Sequence, residues 1–262
     1  MSAVSKTALA VARVRAHESA AGNALFDDPY AAAFLAAAGE QMRKPTSPGP
    51  LATALRFQTV IRTRFYDDEL IRSGHAQVVL LAAGLDTRAY RLPWPSGTRL
   101  YELDLPPVLE FKHGVLAAQS AAPRCDRTAV AADLLRPTWA DRLVDAGFDA
   151  TRPTAWLVEG LLVYLTAEEA ATLLTTVGDL SAPGSRLALE RGRSGRTRLD
   201  DPSVAHITAL WKGGLGAGTA DWLDAHGWRS EAHPLDTVAA CYGRPMGNPS
   251  GTGFITAVRT SR

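Results

Sequence analysis

The hydrophobic pattern of this 262-residue chain changes rhythm once. Over residues 4–40, small apolar and charged positions recur at helical spacing and break at Asp28-Pro29-Tyr30, which predicts two helices joined by a turn. A Pro/Gly/Ser-rich segment at 43–50 precedes another amphipathic stretch, 51–73, which Gly74 is placed to cap. From there, short apolar runs alternate with helical patterns: "QVVLLA", "RLYELD", "RTAVAAD", "TAWLVEG" and "SRLALER". A last run, "GTGFITAVR", follows the turn-rich "YGRPMGNPSG". This alternation predicts an α/β fold, a doubly wound and mostly parallel sheet with helices on both faces. Residues 1–73 would form an N-terminal helical cap and residues 74–262 the core.

In such a sheet ligands bind where strands end, near the point at which strand order reverses. The informative residues are therefore those at which apolar runs stop. The first run stops at Gly84, where the backbone can turn tightly and present N–H groups to a ligand, or simply turn the chain. The second stops at Asp104, 20 positions on, where a carboxylate can accept both hydroxyls of a ribose or can cap the turn before Pro106. The third stops at Asp133, placed to accept from an adenine amine, with Leu134 beside it to pack on the ring. The fourth stops at Glu159 and Gly160; a carboxylate ending a buried strand needs a cation, from the protein or from a ligand.

Composition narrows the chemistry. A 46% hydrophobic, 21% charged chain can bury one sizeable core, and a net charge of +1 provides no global field for nucleic acid or an anionic membrane. The two cysteines, Cys125 and Cys241, lie far apart and outside any metal-ligand spacing, so no metal site is expected. Arg13, Arg15, His17 and Glu18 interrupt the only apolar run near the N-terminus, which argues for a cytoplasmic protein acting on a small molecule.

Longer motifs carry a resemblance. "GLDTRAYRL" at 84–92, "TALAVARVRAHES" at 7–19, "DDPYA" at 27–31, "IRTRFYDD" at 61–68, "YELDLPPVLEFK" at 101–112, "EGLLVYL" at 159–165 and "WLDAHGW" at 222–228 occur in family order along nearly the whole chain. They resemble the class I S-adenosylmethionine-dependent methyltransferases, in the branch of leucine carboxyl methyltransferases and bacterial polyketide O-methyltransferases. The resemblance implies a Rossmann-like seven-stranded sheet and S-adenosyl-L-methionine as cofactor, with S-adenosyl-L-homocysteine as product. Gly84 matches the cofactor-turn glycine, Asp104 the ribose-binding acid, and Asp133 with Leu134 the adenine contacts. Arg62 corresponds to an arginine that holds the methionine carboxylate, with Arg15 adding to that contact, and Glu159 matches a carboxylate near the cofactor amino group. Without the resemblance, Arg62 reads as part of a solvated helix face beside Asp67 and Asp68. The chain departs from the family at Ala82, where glycine is usual; alanine costs little there if φ is negative and more if φ is positive. Asp86 and Arg88 are expected to pair and fix the turn, with Thr87 capping the short helix that follows.

The family activity is methyl transfer, an in-line displacement that needs positioning above all. A carboxylate acceptor is already nucleophilic at neutral pH, whereas an aliphatic hydroxyl needs a general base. The expected function is therefore formation of a methyl ester on a small metabolite such as a polyketide. O-methylation of a phenolic or other hydroxyl, and cofactor binding without catalysis, are the alternatives. Tyr164 is a candidate to position the acceptor and His206 a candidate base, in an acceptor lid around 191–220. Arg191, Arg193, Arg196 and Arg198 either face solvent or recruit an anionic acceptor, and Trp211 with the glycines of "WKGGLGAG" would form an aromatic lid.

Overall fold

The computed structural model describes residues 3–40, 49–191, 201, 204–247 and 251–261. Helices α1 (Ala3–Ser19) and α2 (Ala31–Ala37) flank the Asp28-Pro29-Tyr30 turn, as the pattern predicts. Arg15 fixes that turn from α1, its Nε donating to Asp28 at 2.7 Å with both side chains buried. Helix α3 (Pro50–Ser73) starts on a proline, whose missing N–H is no loss there, and ends at Gly74 in the left-handed region at φ +64°. Its first turn is capped from a distance, since the buried Asp201 carboxylate accepts the Ala52 N–H at 3.0 Å.

Strands and helices then alternate: β1 (Gln77–Leu81), α4 (Arg88–Arg91), β2 (Arg99–Asp104), α5 (Pro106–Ala118), β3 (Asp126–Ala131), α6 (Trp139–Asp145), β4 (Ala155–Val158), α7 (Ala167–Asp179) and β5 (Arg186–Arg191). Helices α8 (Ala205–Thr208) and α9 (Thr219–Ala225), strand β6 (Trp228–Pro234), helix α10 (Leu235–Cys241) and strand β7 (Gly253–Arg259) complete the described chain. The seven strands form one sheet in the order β3-β2-β1-β4-β5-β7-β6. Strands β1 to β5 are parallel, and β7 runs antiparallel to both neighbours, so the sheet is mixed at one edge. Strand β6 matches none of the apolar runs. It is an edge strand whose residues after Trp228 are half-buried or exposed, so its polar sequence has no hydrophobic run to betray it.

Side chains of β1 alternate between two buried clusters. Val78 and Leu80 pack with Phe34, Ile61, Phe65 and Phe254, in a layer shared with the N-terminal helices. Val79 and Leu81 pack with Trp139, Trp156, Leu173 and Trp228 on the opposite face. A buried ion triad sits within this frame: Glu102 of β2 accepts from Lys112 of α5 at 2.6 Å and from Arg127 of β3 at 2.7 Å. Glu102 and Lys112 are wholly shielded from solvent. Removing one member leaves a buried charge under-compensated, so Lys112→Ala should destabilise the fold by about 3 kcal/mol in chemical denaturation, with the native far-ultraviolet spectrum retained.

Candidate functional site

Register aligns the strand ends. Leu81 lies opposite Leu103 and Val158, Leu103 opposite Val130, and Val158 opposite Leu189. The carboxyl ends of β1 to β5 therefore form one edge, bearing the 82–84 turn, Asp104, Asp133, Glu159 and Glu190. Strand order reverses between β1 and β4, which puts the crevice between the 82–84 turn and Glu159.

On one side of that crevice, the Gly84 N–H donates to Asp104 Oδ2 at 2.6 Å and the Leu105 N–H to Asp104 Oδ1 at 2.7 Å. Each carboxylate oxygen so uses one acceptor position and keeps another, the capacity that two vicinal hydroxyls would take. Burial pushes the Asp104 carboxyl up, and the two N–H bonds oppose it. Gly84 has φ +51°, and a Cβ there would meet Ala8 of α1 at an ordinary 3.7 Å. Glycine is needed at 84 for its backbone angle rather than for space. Arg15 reaches the same turn, donating to the Leu85 carbonyl at 2.6 Å. Ala82 also has φ +51°, which answers the question that its sequence raised: alanine occupies the left-handed region, at a cost of about 1 kcal/mol.

The other side is a buried ion cluster. Arg62 of α3 donates from Nε to Glu159 and from Nη1 to Glu190, both at 2.8 Å. Arg88, only 2% exposed, donates to Asp67 at 2.6 Å, to Glu159 at 2.7 Å and to Asp86, while Arg91 forms a two-pronged pair with Asp67. The reading of Arg62 as part of a solvated helix face beside Asp67 and Asp68 is thereby overturned: Arg62 points inward to the ends of β4 and β5 and Asp67 is buried against Arg88 and Arg91 of α4, while Asp68 stays partly exposed with Arg64. The cation that Glu159 required comes from Arg62 and Arg88. Burial raises the Glu159 carboxyl, but the two guanidiniums outweigh it and hold it below its ordinary value. Glu190 goes the other way: burial and Glu159 together exceed the pull of Arg62 and raise it. Asp86 is likewise buried, yet Arg88, with Lys112, Arg91 and Arg15, brings it down to about 2.

The Asp86–Arg88 pair forms as expected, but Thr87 does not cap α4. The Arg88 N–H donates to Asp86 Oδ1 at 2.7 Å, so the aspartate takes the capping role and the Thr87 hydroxyl is buried without a hydrogen-bond partner among the described residues. Asp133, two residues beyond β3, is exposed; its Oδ1 accepts the Leu135 N–H at 3.0 Å, and Leu134 packs at the margin of the second core cluster. Asp133 makes no hydrogen bond to the other predicted residues among those described. Leu135, 51% exposed beside it, is an apolar surface that the sequence did not single out. Tyr164 ends a single turn of 3₁₀ helix, Leu162–Tyr164, where Trp211 and Thr7 of α1 meet it; burial raises its phenol against those contacts and Arg62. His206 lies on α8 with its side chain outside the described residues, as are Arg193, Arg196 and Arg198, whereas Arg191 ends β5 half-buried. Glu190 was missed, although the rule that picked the other strand ends applies equally to "SRLALER".

Residues 8–178 match the model of the family described as leucine carboxyl methyltransferase. Among curated relatives, the chain is 49% identical to a protein of Parafrankia sp. over 98% of this chain and 87% of the relative. It is 44% identical to a protein of Streptomyces coelicolor over 98% of this chain and 96% of the relative. Both are named for S-adenosyl-L-methionine-dependent methyltransferase activity. Two solved structures share the fold. A methyltransferase structure from Thermobifida fusca aligns with TM-score 0.59 at 18% identity, covering 87% of this chain and 94% of its own. A duf574 family protein from Streptomyces avermitilis aligns with TM-score 0.58 at 17% identity, covering 95% and 97%.

Two outcomes are expected from this geometry. Ala82→Gly relieves the left-handed strain while adding freedom to the unfolded chain, and should raise stability by about 0.5–1 kcal/mol in urea melts. Asp86, with a folded pKa of about 2 against an ordinary 3.8, contributes stability that is present above the unfolded value and lost as pH falls through the folded one. Thermal melts of the wild type should therefore weaken between those two values, and Asp86→Asn should flatten that part of the profile.

Proposed function

From the premise that the chain belongs to the leucine carboxyl methyltransferase family, we propose that it forms methyl esters on carboxylates of small metabolites. The chain is an S-adenosylmethionine-dependent methyltransferase, and its strand-end residues fit that cofactor: Asp104 retains two acceptor positions, Gly84 supplies the left-handed turn whose N–H orients Asp104, and the ion cluster is poor in positive charge. Asp104 would hold the ribose hydroxyls, Asp133 and Leu134 the adenine, and Arg62, Arg15 and Glu159 the amino-acid end. When bound, S-adenosylmethionine supplies a methyl group already activated on a sulfonium.

What remains for the protein is to place the acceptor oxygen in line and keep water out. The observation that carries the acceptor reading is Tyr164. Its phenol, which Trp211 and Thr7 of α1 meet, is protonated at neutral pH as an ordinary phenol is, and burial raises it further, so it can donate a hydrogen bond. A donor beside the crevice suits an oxygen that is already ionised, which a carboxylate is and an aliphatic alcohol is not. Trp211, in contact with that phenol, would cover a flat substrate, and Arg191 at the end of β5 would meet its charge.

Titration calorimetry tests the cofactor assignment: S-adenosylmethionine should bind the wild type, and Asp104→Ala should weaken it by about 1–3 kcal/mol. An acceptor screen tests the rest. Carboxylic acids should be turned over, and Tyr164→Phe should raise their KM by roughly five- to tenfold, the loss of one hydrogen bond. Turnover of phenols or alcohols with carboxylic acids inert would reject the ester reading.

A further inference from the structure

The ion cluster at the ends of β4 and β5 does not balance. Arg62, Arg88 and Arg91 provide three positive charges, and Asp67, Asp86, Glu159 and Glu190 provide four negative ones. Among the described residues the neighbouring cations do not supply the missing charge: Arg15 pairs with Asp28, Arg64 with Asp68, and Lys112 and Arg127 with Glu102, while Arg191, the residue after Glu190, forms no ion pair with the cluster. The cluster is too well shielded for solvent to screen this excess, since the side chains of Arg62, Arg88, Glu159 and Glu190 are between 2% and 18% exposed. Glu190 is the member with the least compensation. Its guanidinium partner, Arg62, is shared with Glu159, and its other partner is the neutral Gly160 N–H, at 2.7 and 2.9 Å from its two oxygens. A second sign of incompleteness is Tyr66. It is wholly buried in the field of Glu190, Glu159 and Arg62, and its hydroxyl has no hydrogen-bond partner among the described residues.

We propose that Glu190 is a specificity-determining residue that leaves this pocket one negative charge in excess, so that it favours the cationic sulfonium cofactor over the neutral thioether product. The inference rests on the cofactor reading above. S-adenosylmethionine carries a net charge of +1, from a zwitterionic amino-acid end and a sulfonium, whereas S-adenosylhomocysteine is neutral overall. A pocket short of one positive charge is neutralised by the first and not by the second. The consequence for turnover is that the attraction ends when the methyl group leaves, which assists product exchange.

The test compares three ligands by titration calorimetry: S-adenosylmethionine, sinefungin, which replaces the sulfonium with an ammonium-bearing carbon, and S-adenosylhomocysteine. The wild type should bind both cationic ligands roughly tenfold tighter than the neutral one. Glu190→Gln, which can still accept from Arg62 and Gly160, should lose roughly tenfold for the two cationic ligands and stay within about twofold for S-adenosylhomocysteine. An equal loss for all three would overturn the proposal, because Glu190 would then act only by holding Arg62. Unchanged binding of all three would overturn it as well. If the variant does not fold, the wild-type ratio decides, and thioether binding as tight as sulfonium binding overturns the proposal. Failure of all three to bind the wild type would instead reject the cofactor reading on which the proposal stands.

Discussion

Arg88 is the side chain on which the arrangement of this site depends. It is fully buried and makes hydrogen bonds to α3 through Asp67 and the Thr63 carbonyl, to its own turn through Asp86, and to the end of β4 through Glu159. A guanidinium is suited to this position because its five donors spread in a plane and stay charged when desolvated. A lysine's three donors radiate from a single nitrogen and would not span partners spaced this widely. The contacts reach three chain segments, so helix α3, the turn after β1 and the end of β4 are brought into one register by charge pairing as well as by apolar packing. Burying so much charge would be unfavourable if any partner were missing, which makes the arrangement specific.

The same cluster connects the fold to its chemistry. Arg62 faces the crevice because Glu159 and Glu190 hold it from two strand ends, and Glu159 stays ionised because Arg62 and Arg88 flank it. Across the reversal point, Asp104 is oriented by two backbone N–H groups, a neutral means of fixing a carboxylate that leaves acceptor capacity unused. One wall of the crevice is thus set by ion pairs and the other by the backbone. Helix α1 joins them, with Ala8 over the Gly84 turn, Arg15 on the Leu85 carbonyl and Thr7 at Tyr164. Helices α1 and α3 therefore reach the crevice as well as the core.

Most of the sheet was legible because parallel strands buried on both faces are continuous apolar runs, and where such runs stop can be read without knowledge of packing. Gly84, Asp104 and Glu159 emerged that way, and the turn at Asp28 and the cap at Gly74 followed from local backbone preference. Strand β6 was not legible, since an exposed edge strand is under no pressure to be apolar. The cap of α4 was misassigned between Thr87 and Asp86, adjacent residues that are both good caps, and the choice fell to Asp86 because its carboxylate also meets Arg88.

What the sequence by itself determined is whatever depends on neighbours along the chain: the order of strands and helices, the residues at each strand end and the family motifs. What only the tertiary structure decided is which charges meet. Asp67 lies 21 residues from Arg88, and Arg62 lies 97 from Glu159 and 128 from Glu190. No local periodicity distinguishes such an inward arginine from a solvated one, because pairing across those separations is fixed by sheet order and helix packing. The sign of φ at Ala82 is of the same kind: the residue type states what the strain would cost, and the surrounding backbone decides that it is present.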